Sequence, residues 1–308
     1  MNARLQLHAA AAGRPAGSPF DPANEAAYAR WRDGKLQQRP ADAAAITVDV
    51  ADPRAPTSAE RRALGEAIAR ANVAIYRSPL RAEDPMLPLA LGAALGLRRL
   101  DANGLAGEDG ISRIEVGART DAAAGRGGFI PYTCRGLRWH TDGYYHPRAR
   151  RIHGMVLHAV RPAARGGINR LLDPELLYIA LRDESPTLIR ALMRPDAMTI
   201  PARTGDEGIA RPAQSGPVFS VGRGALHLRY TARTRSIEWH PDAEVQRAAA
   251  RLAALLEHGL PGLLQVRLEA GMGLVGHNVL HDRSPFVDDP ARPRLLYRAR
   301  FLDRVAPD

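Results

Sequence analysis

Cysteine and lysine each occur once in these 308 residues, at Cys134 and Lys35. A lone thiol excludes an intrachain disulfide and fits a reducing cytoplasm, the expected location. Aromatic residues make up only 5% of the chain and do not interleave with its arginines. A nucleic-acid surface wants a contiguous basic face with stacking rings, so nucleic acid ranks last among the expected partners. No apolar run approaches the ~20 residues needed to cross a bilayer, so no membrane association is expected. Met1 to His8 lead into alanines and glycines rather than into a hydrophobic signal core.

What is present is ordinary for a globular chain, with 45% hydrophobic and 25% charged residues. The length suffices to bury a substantial core as one large domain or two small ones. The net charge of +10 comes from arginine, spread along the chain with local density at Arg148-Ala149-Arg150-Arg151 and from Arg229 to Arg235. Solvated guanidinia explain it most simply, and a positive field around a pocket for small anions is the sharper reading.

Residues 1–44 are rich in Ala, Gly and Pro, with one short helix expected at Asn24–Arg32, and read as an arm or cap packed on a domain spanning 45–308. Ile46–Val50 alternates as a strand and Thr57–Ala71 starts with a helix-capping pattern. Val73–Tyr76 is a buried strand and Pro85–Leu97 a second helix. From residue 111 the texture changes to short strands: Ile111–Val116, Phe129–Thr133, His153–Val160, Gly167–Leu172, Val218–Val221, Ala225–Tyr230, Leu263–Leu268, Leu274–Leu280 and Leu295–Leu302. Helices at Pro174–Arg182, Thr187–Met193 and Ala243–His258 interrupt them. Such spacing argues for a sandwich or barrel. Gly125-Arg126-Gly127-Gly128 and Arg203–Gly216 read as surface loops, the second long enough to act as a lid or to be disordered.

The chemistry concentrates at Trp139-His140-Thr141-Asp142. On an extended segment His140 and Asp142 share a face and Thr141 turns back, which gives a two-point grip on a divalent metal. A second histidine, best supplied by His281, completes the two-His-one-carboxylate set of non-haem Fe(II) oxygenases. A packed or solvated role for His140 and Asp142 is the plain alternative. The other His-x-Asp, His240-Pro241-Asp242, is explained as a helix start.

The C-terminal half resembles the TauD/TfdA-like Fe(II)- and 2-oxoglutarate-dependent dioxygenases. Three blocks carry the likeness: Trp139 to Asp142, Arg165-Gly166-Gly167-Ile168-Asn169, and Gly273 to Arg298 with Asn278, His281, Ser284-Pro285-Phe286 and Arg294. The resemblance implies a mainly β protein with flanking helices (α+β), built on a double-stranded β-helix, or jelly-roll, barrel. It further implies iron held by His140, Asp142 and His281, and 2-oxoglutarate anchored by Arg294, 13 positions after His281, with help from Asn169. Arg298, Tyr144 and Arg229 are then expected to meet the prime substrate. That substrate is read as a small carboxylate or sulfonate, hydroxylated with dioxygen and released alongside succinate and carbon dioxide. Asn169 stands where the family commonly has threonine, Met272 replaces the usual acid, and the segment before His281 is short. A carboxylate at 142 argues against a halogenase. The triad alone also admits a cupin-like or zinc-type hydrolase, and a homo-oligomer is compatible with the chain.

Overall fold

The computed structural model describes residues 17–101, 106–116, 130–205, 208–233 and 237–306. Ten strands and six helices among them position the site. The strands are β1 (Thr47–Asp49), β2 (Val73–Arg77), β3 (Ser112–Glu115), β4 (Leu137–His140), β5 (Gly154–Arg161), β6 (Asn169–Leu172), β7 (Leu264–Val266), β8 (Met272–His277), β9 (Leu280–Arg283) and β10 (Leu295–Phe301). The helices are α1 (Glu25–Gln37), α2 (Ser58–Ala71), α3 (Leu87–Ala94), α4 (Pro174–Glu184), α5 (Pro186–Leu192) and α6 (Ala243–His258).

Two sheets form the jelly roll. The larger runs β1-β2-β8-β5-β10-β3 and the smaller β7-β6-β9-β4. Pairing is antiparallel throughout both, except that β1 lies parallel to β2. Alternation along β6 divides the interior: Leu171 enters the core between sheets and helices α2 and α3, while Leu172 joins a second core under α4, α5 and α6. Both faces of the central strands are covered, so β5 is buried from Gly154 to Val160.

Local chemistry sets the helix ends. Thr57 and Glu60 close a reciprocal capping box on α2, and Asn72 ends that helix in the left-handed region at φ 61°. Asp173, Ser185 and Asp242 accept backbone N–H groups at the starts of α4, α5 and α6. Asp242 as a cap bears out the helix-start reading of the second His-x-Asp. The scarce aromatic residues gather where residues 17–44 meet α4: Phe20, Tyr28 and Trp31 surround Tyr178, and the buried Arg182 guanidinium lies 3.8 Å over the Tyr28 ring. Lys35 is 8% exposed and sits 2.6 Å from both Asp173 and Glu175.

Three expectations need correction. The strand expected at Phe129–Thr133 is a turn of 3-10 helix at Ile130–Tyr132, because carbonyls at 131, 133 and 135 are claimed by the Arg283 guanidinium rather than by a neighbouring strand. Arg203–Gly216 is not a plain loop: Gln214–Gly216 pairs with Met198–Ile200, and Arg203–Gly205 pairs with Gly208–Arg211. Helix α1 runs to Gln37, five residues past its expected end at Arg32. Gly125–Gly128 lies outside the described residues.

Candidate metal centre

Strand pairing brings the remote histidines together. In the β4–β9 register His281 lies directly opposite His140, and the two rings stand 4.2 Å apart between centroids. Asp142 follows just past the end of β4. One ligand atom from each of His140, Asp142 and His281 falls within 4.8 Å of the others, and His140 and Asp142 are only 7% and 5% exposed. Thr141 turns back as alternation requires: its hydroxyl accepts from Tyr230 N–H at 3.1 Å and its own N–H donates to Tyr230 O. Gly143 then reverses the chain at φ 65°, where a Cβ would come within 2.5 Å of Ile152 Cγ1.

Hydrogen bonds fix which atoms face the centre. Nδ1 of His140 lies 3.0 Å from Arg138 O, and Nδ1 of His281 lies 2.9 Å from Val279 O. A carbonyl can only accept, so each Nδ1 carries the proton and each Nε2 presents a lone pair. Burial, reinforced by His281, holds the His140 imidazole neutral with its pKa near 3. Burial opposes ionisation of Asp142, but the Arg298 and Arg300 guanidinia outweigh it and keep the carboxyl well below its ordinary range. Oδ1 of Asp142 accepts from Arg298 Nη1 at 2.9 Å; Oδ2 is buried with no partner among the described residues. Two imidazoles with their Nδ1 atoms already spent on carbonyls and one unpartnered carboxylate oxygen fit a divalent cation that favours mixed N and O donors.

A second feature of the barrel is a buried guanidinium. Arg294, 6% exposed, makes no side-chain hydrogen bond among the described residues; its guanidinium rests 5.0 Å from the Phe286 ring. Burial, with the nearby Arg283 charge, pushes its pKa down to about 9. Arg283 shares the same ring at 4.6 Å and lies opposite Asn169 across the β6–β9 pair. Asn169 is itself buried, its amide donating to Gly167 O at 3.4 Å. An unpaired buried cation suits an anionic ligand.

Other expected residues fall elsewhere. Arg298 is turned onto Asp142 itself. Tyr144 is half-buried, packed edge-on against Tyr145 at 5.2 Å and against the second core. Arg229 is corrected by its surroundings. All five of its N–H groups are spent on the carbonyls of Tyr144, Met198, Gln214, Gly216 and Pro217, so it fastens main chain and has no donor left for a substrate. One group escaped the sequence reading. Arg283 is two residues after His281 on the same face, a spacing that could have flagged it. Arg300, two after Arg298, bridges Tyr145 Oη at 3.1 Å and the buried Asp101. Nothing in the sequence around Asp101 marks it, because its partners come from two distant segments, His146 with Arg150 and Arg300.

Similarity to known proteins agrees with this geometry. Two uridine-5'-phosphate dioxygenases match part of the chain: one from a Streptomyces species at 36% identity over 168 residues (52% of this chain, 60% of that protein), and one from an Amycolatopsis species at 32% over 177 (56% and 62%). The chain thus spans about 60% of the length of these relatives. Among solved structures, an asparagine oxygenase in complex with Fe(II), hydroxyasparagine and succinate superposes with a TM-score of 0.58 at 16% identity, covering 93% of this chain and 86% of that one. The non-heme iron oxygenase OrfP does so with a TM-score of 0.58 at 18% identity, covering 94% and 92%. At such identities these structures speak for the jelly-roll fold. The sequence profile described as "Taurine catabolism dioxygenase TauD, TfdA family" matches residues 33–300, and with most of its length matched this chain belongs to that family.

Proposed function

We propose that this protein is an Fe(II)- and 2-oxoglutarate-dependent dioxygenase that oxidises, in the simplest case hydroxylates, a small anionic substrate and releases succinate and carbon dioxide. One observation carries the reading: one ligand atom from each of His140, Asp142 and His281 falls within 4.8 Å of the others, with the unpaired Arg294 guanidinium in the same barrel. Fe(II) held by His140, Asp142 and His281 supplies activation of dioxygen coupled to decarboxylation of 2-oxoglutarate. The chain's own residues do the rest. Arg294 receives the far carboxylate of the cosubstrate, and the Asn169 amide is the proposed second donor to it. Arg298 keeps Asp142 ionised and occupies one of its oxygens, which leaves the other for the metal.

Substrate charge follows from the surroundings. Arg298 pairs with Asp142 and Arg300 with Asp101, which leaves the buried Arg283 and Arg294 guanidinia with no ion-pair partner among the described residues, and buried positive charge of that kind draws anions. Since the curated relatives are named for uridine 5'-phosphate, a nucleoside 5'-monophosphate is the substrate class to try first. The proposed setting is a reducing cytoplasm, with a small-molecule substrate and dioxygen as partners.

The test is anaerobic addition of Fe(II) and 2-oxoglutarate. A visible charge-transfer band is expected in the wild type and not in His140→Ala, followed by succinate release on aeration with uridine 5'-phosphate or another small anion. Binding of Zn(II) with no measurable affinity for 2-oxoglutarate would overturn the proposal in favour of a hydrolase.

A further inference from the structure

We infer that Asn278 is a positioning residue for the metal centre, holding Asp142 in register with His281; the inference rests on the metal-site reading above. His140 and His281 are located by the β4–β9 ladder. Asp142 is not: it lies past the end of β4, and both of its main-chain groups bond to one side chain. Asn278 Oδ1 accepts from Asp142 N–H at 2.8 Å, and Asn278 Nδ2 donates to Asp142 O at 2.8 Å. The second Nδ2 hydrogen donates to Ile152 O at 3.0 Å, and the main-chain N–H of Asn278 donates to His153 O at 3.1 Å.

The side chain, 6% exposed, therefore replaces a missing rung of the sheet. It also lies three residues before His281, on the segment joining β8 to β9. A single amide consequently couples the carboxylate ligand to the distal imidazole ligand. Movement of either segment is transmitted to the other through two hydrogen bonds between buried groups. Only a primary amide of this length supplies one acceptor and two donors in this geometry. Ligand sets of this kind lose function when displaced by about half an ångström, so the constraint acts on metal affinity rather than on fold alone.

Co(II), used alone in place of Fe(II), gives a direct readout through its binding isotherm and ligand-field absorption. Asn278→Ala is expected to weaken Co(II) about 10- to 100-fold and to alter the absorption envelope, as changes behind metal ligands do. Asn72→Ala serves as the control. It removes another buried amide, one that bonds Asp173 at 2.8 Å and His277 at 2.7 Å but does not touch Asp142. That variant is expected to lower the melting temperature while keeping Co(II) affinity within about threefold. If truncation at 278 prevents folding, Asn278→Gln keeps the amide but adds a methylene and gives the same comparison. Equal Co(II) affinity in the wild type and the Asn278 variant, or an equal loss in both variants, overturns the inference. Failure of the wild type to bind Co(II) at all would instead overturn the metal-site reading.

Discussion

Arg294→Met is expected to move cosubstrate affinity and apo-protein stability in opposite directions. The guanidinium is buried against Phe286 with no hydrogen-bonding partner among the described residues, and burial pulls its pKa far below the usual arginine range, to about 9. That fall corresponds to roughly 5 kcal/mol acting against the charged form, an upper bound on what its burial costs. The Phe286 ring returns about 1–2 kcal/mol of this through its π face. Methionine fills a similar volume and carries no charge, so the metal-free, ligand-free variant should be as stable as wild type or up to about 3 kcal/mol more stable. Binding of 2-oxoglutarate should suffer the reverse. Two charge-assisted hydrogen bonds to a carboxylate contribute roughly 3–4 kcal/mol, so its Kd should rise about 100- to 1000-fold. Urea denaturation of the apo protein and calorimetric titration with 2-oxoglutarate at saturating Co(II) measure the two quantities separately. A variant that binds 2-oxoglutarate within threefold of wild type would refute the anchoring role. One that loses more than about 2 kcal/mol of apo stability would refute the view of Arg294 as an uncompensated buried cation.

Arg229→Met should behave oppositely to Arg294→Met: stranding five carbonyls, it should lose roughly 3–5 kcal/mol in urea denaturation while the folded fraction keeps its 2-oxoglutarate affinity. Unchanged stability would show that the carbonyls find other donors. Gly143→Ala forces a side chain into a left-handed turn against Ile152, and should cost about 1–3 kcal/mol together with measurable loss of Co(II) affinity. Retention of both would mean the turn after Asp142 relaxes freely. A pH effect follows from His158, which is 1% exposed, bonded to Tyr76 Oη at 2.9 Å, and lowered by burial to about 4. The unfolded chain takes up this proton near pH 6.5 and the native protein does not. The contribution is therefore complete above pH 6.5 and lost as pH falls toward 4, worth roughly 3 kcal/mol at most. Stability measured at intervals across that range should show a slope reduced by about one proton in His158→Gln; an unaltered slope would exclude the imidazole as its source.

The clustered triad was legible because its signal is local or nearly so. His140 and Asp142 need only the alternation of an extended segment, and His281 stands in a block with its own neighbours. Helix ends were legible for the same reason: Thr57, Asp173 and Asp242 act on backbone a few residues away. The arginines were harder. Forty-two of them look alike in the sequence, and whether one is free, stapled or paired depends on which carbonyls and carboxylates the fold delivers. Arg229 meets carbonyls from residues 144 to 217, and Arg300 meets Asp101 from 199 positions away. The segment at 130–132 misled for a related reason. Its residues suit a strand, yet Ile130 O accepts from Thr133 within the turn and the Pro131 and Thr133 carbonyls are drawn to Arg283, at least 150 positions distant. Tertiary competition of this sort overrides local preference.

Lys35, enclosed between Asp173 and Glu175, has a practical consequence because it is the chain's sole lysine. Amine-directed acylating reagents find no exposed lysine, and endoproteinase Lys-C has one cleavage position in the whole sequence. Either reaction at residue 35 must wait until α1 lifts from the start of α4. The rate of acetyl incorporation or of that single scission therefore reports the free energy of this local opening, separately from global unfolding.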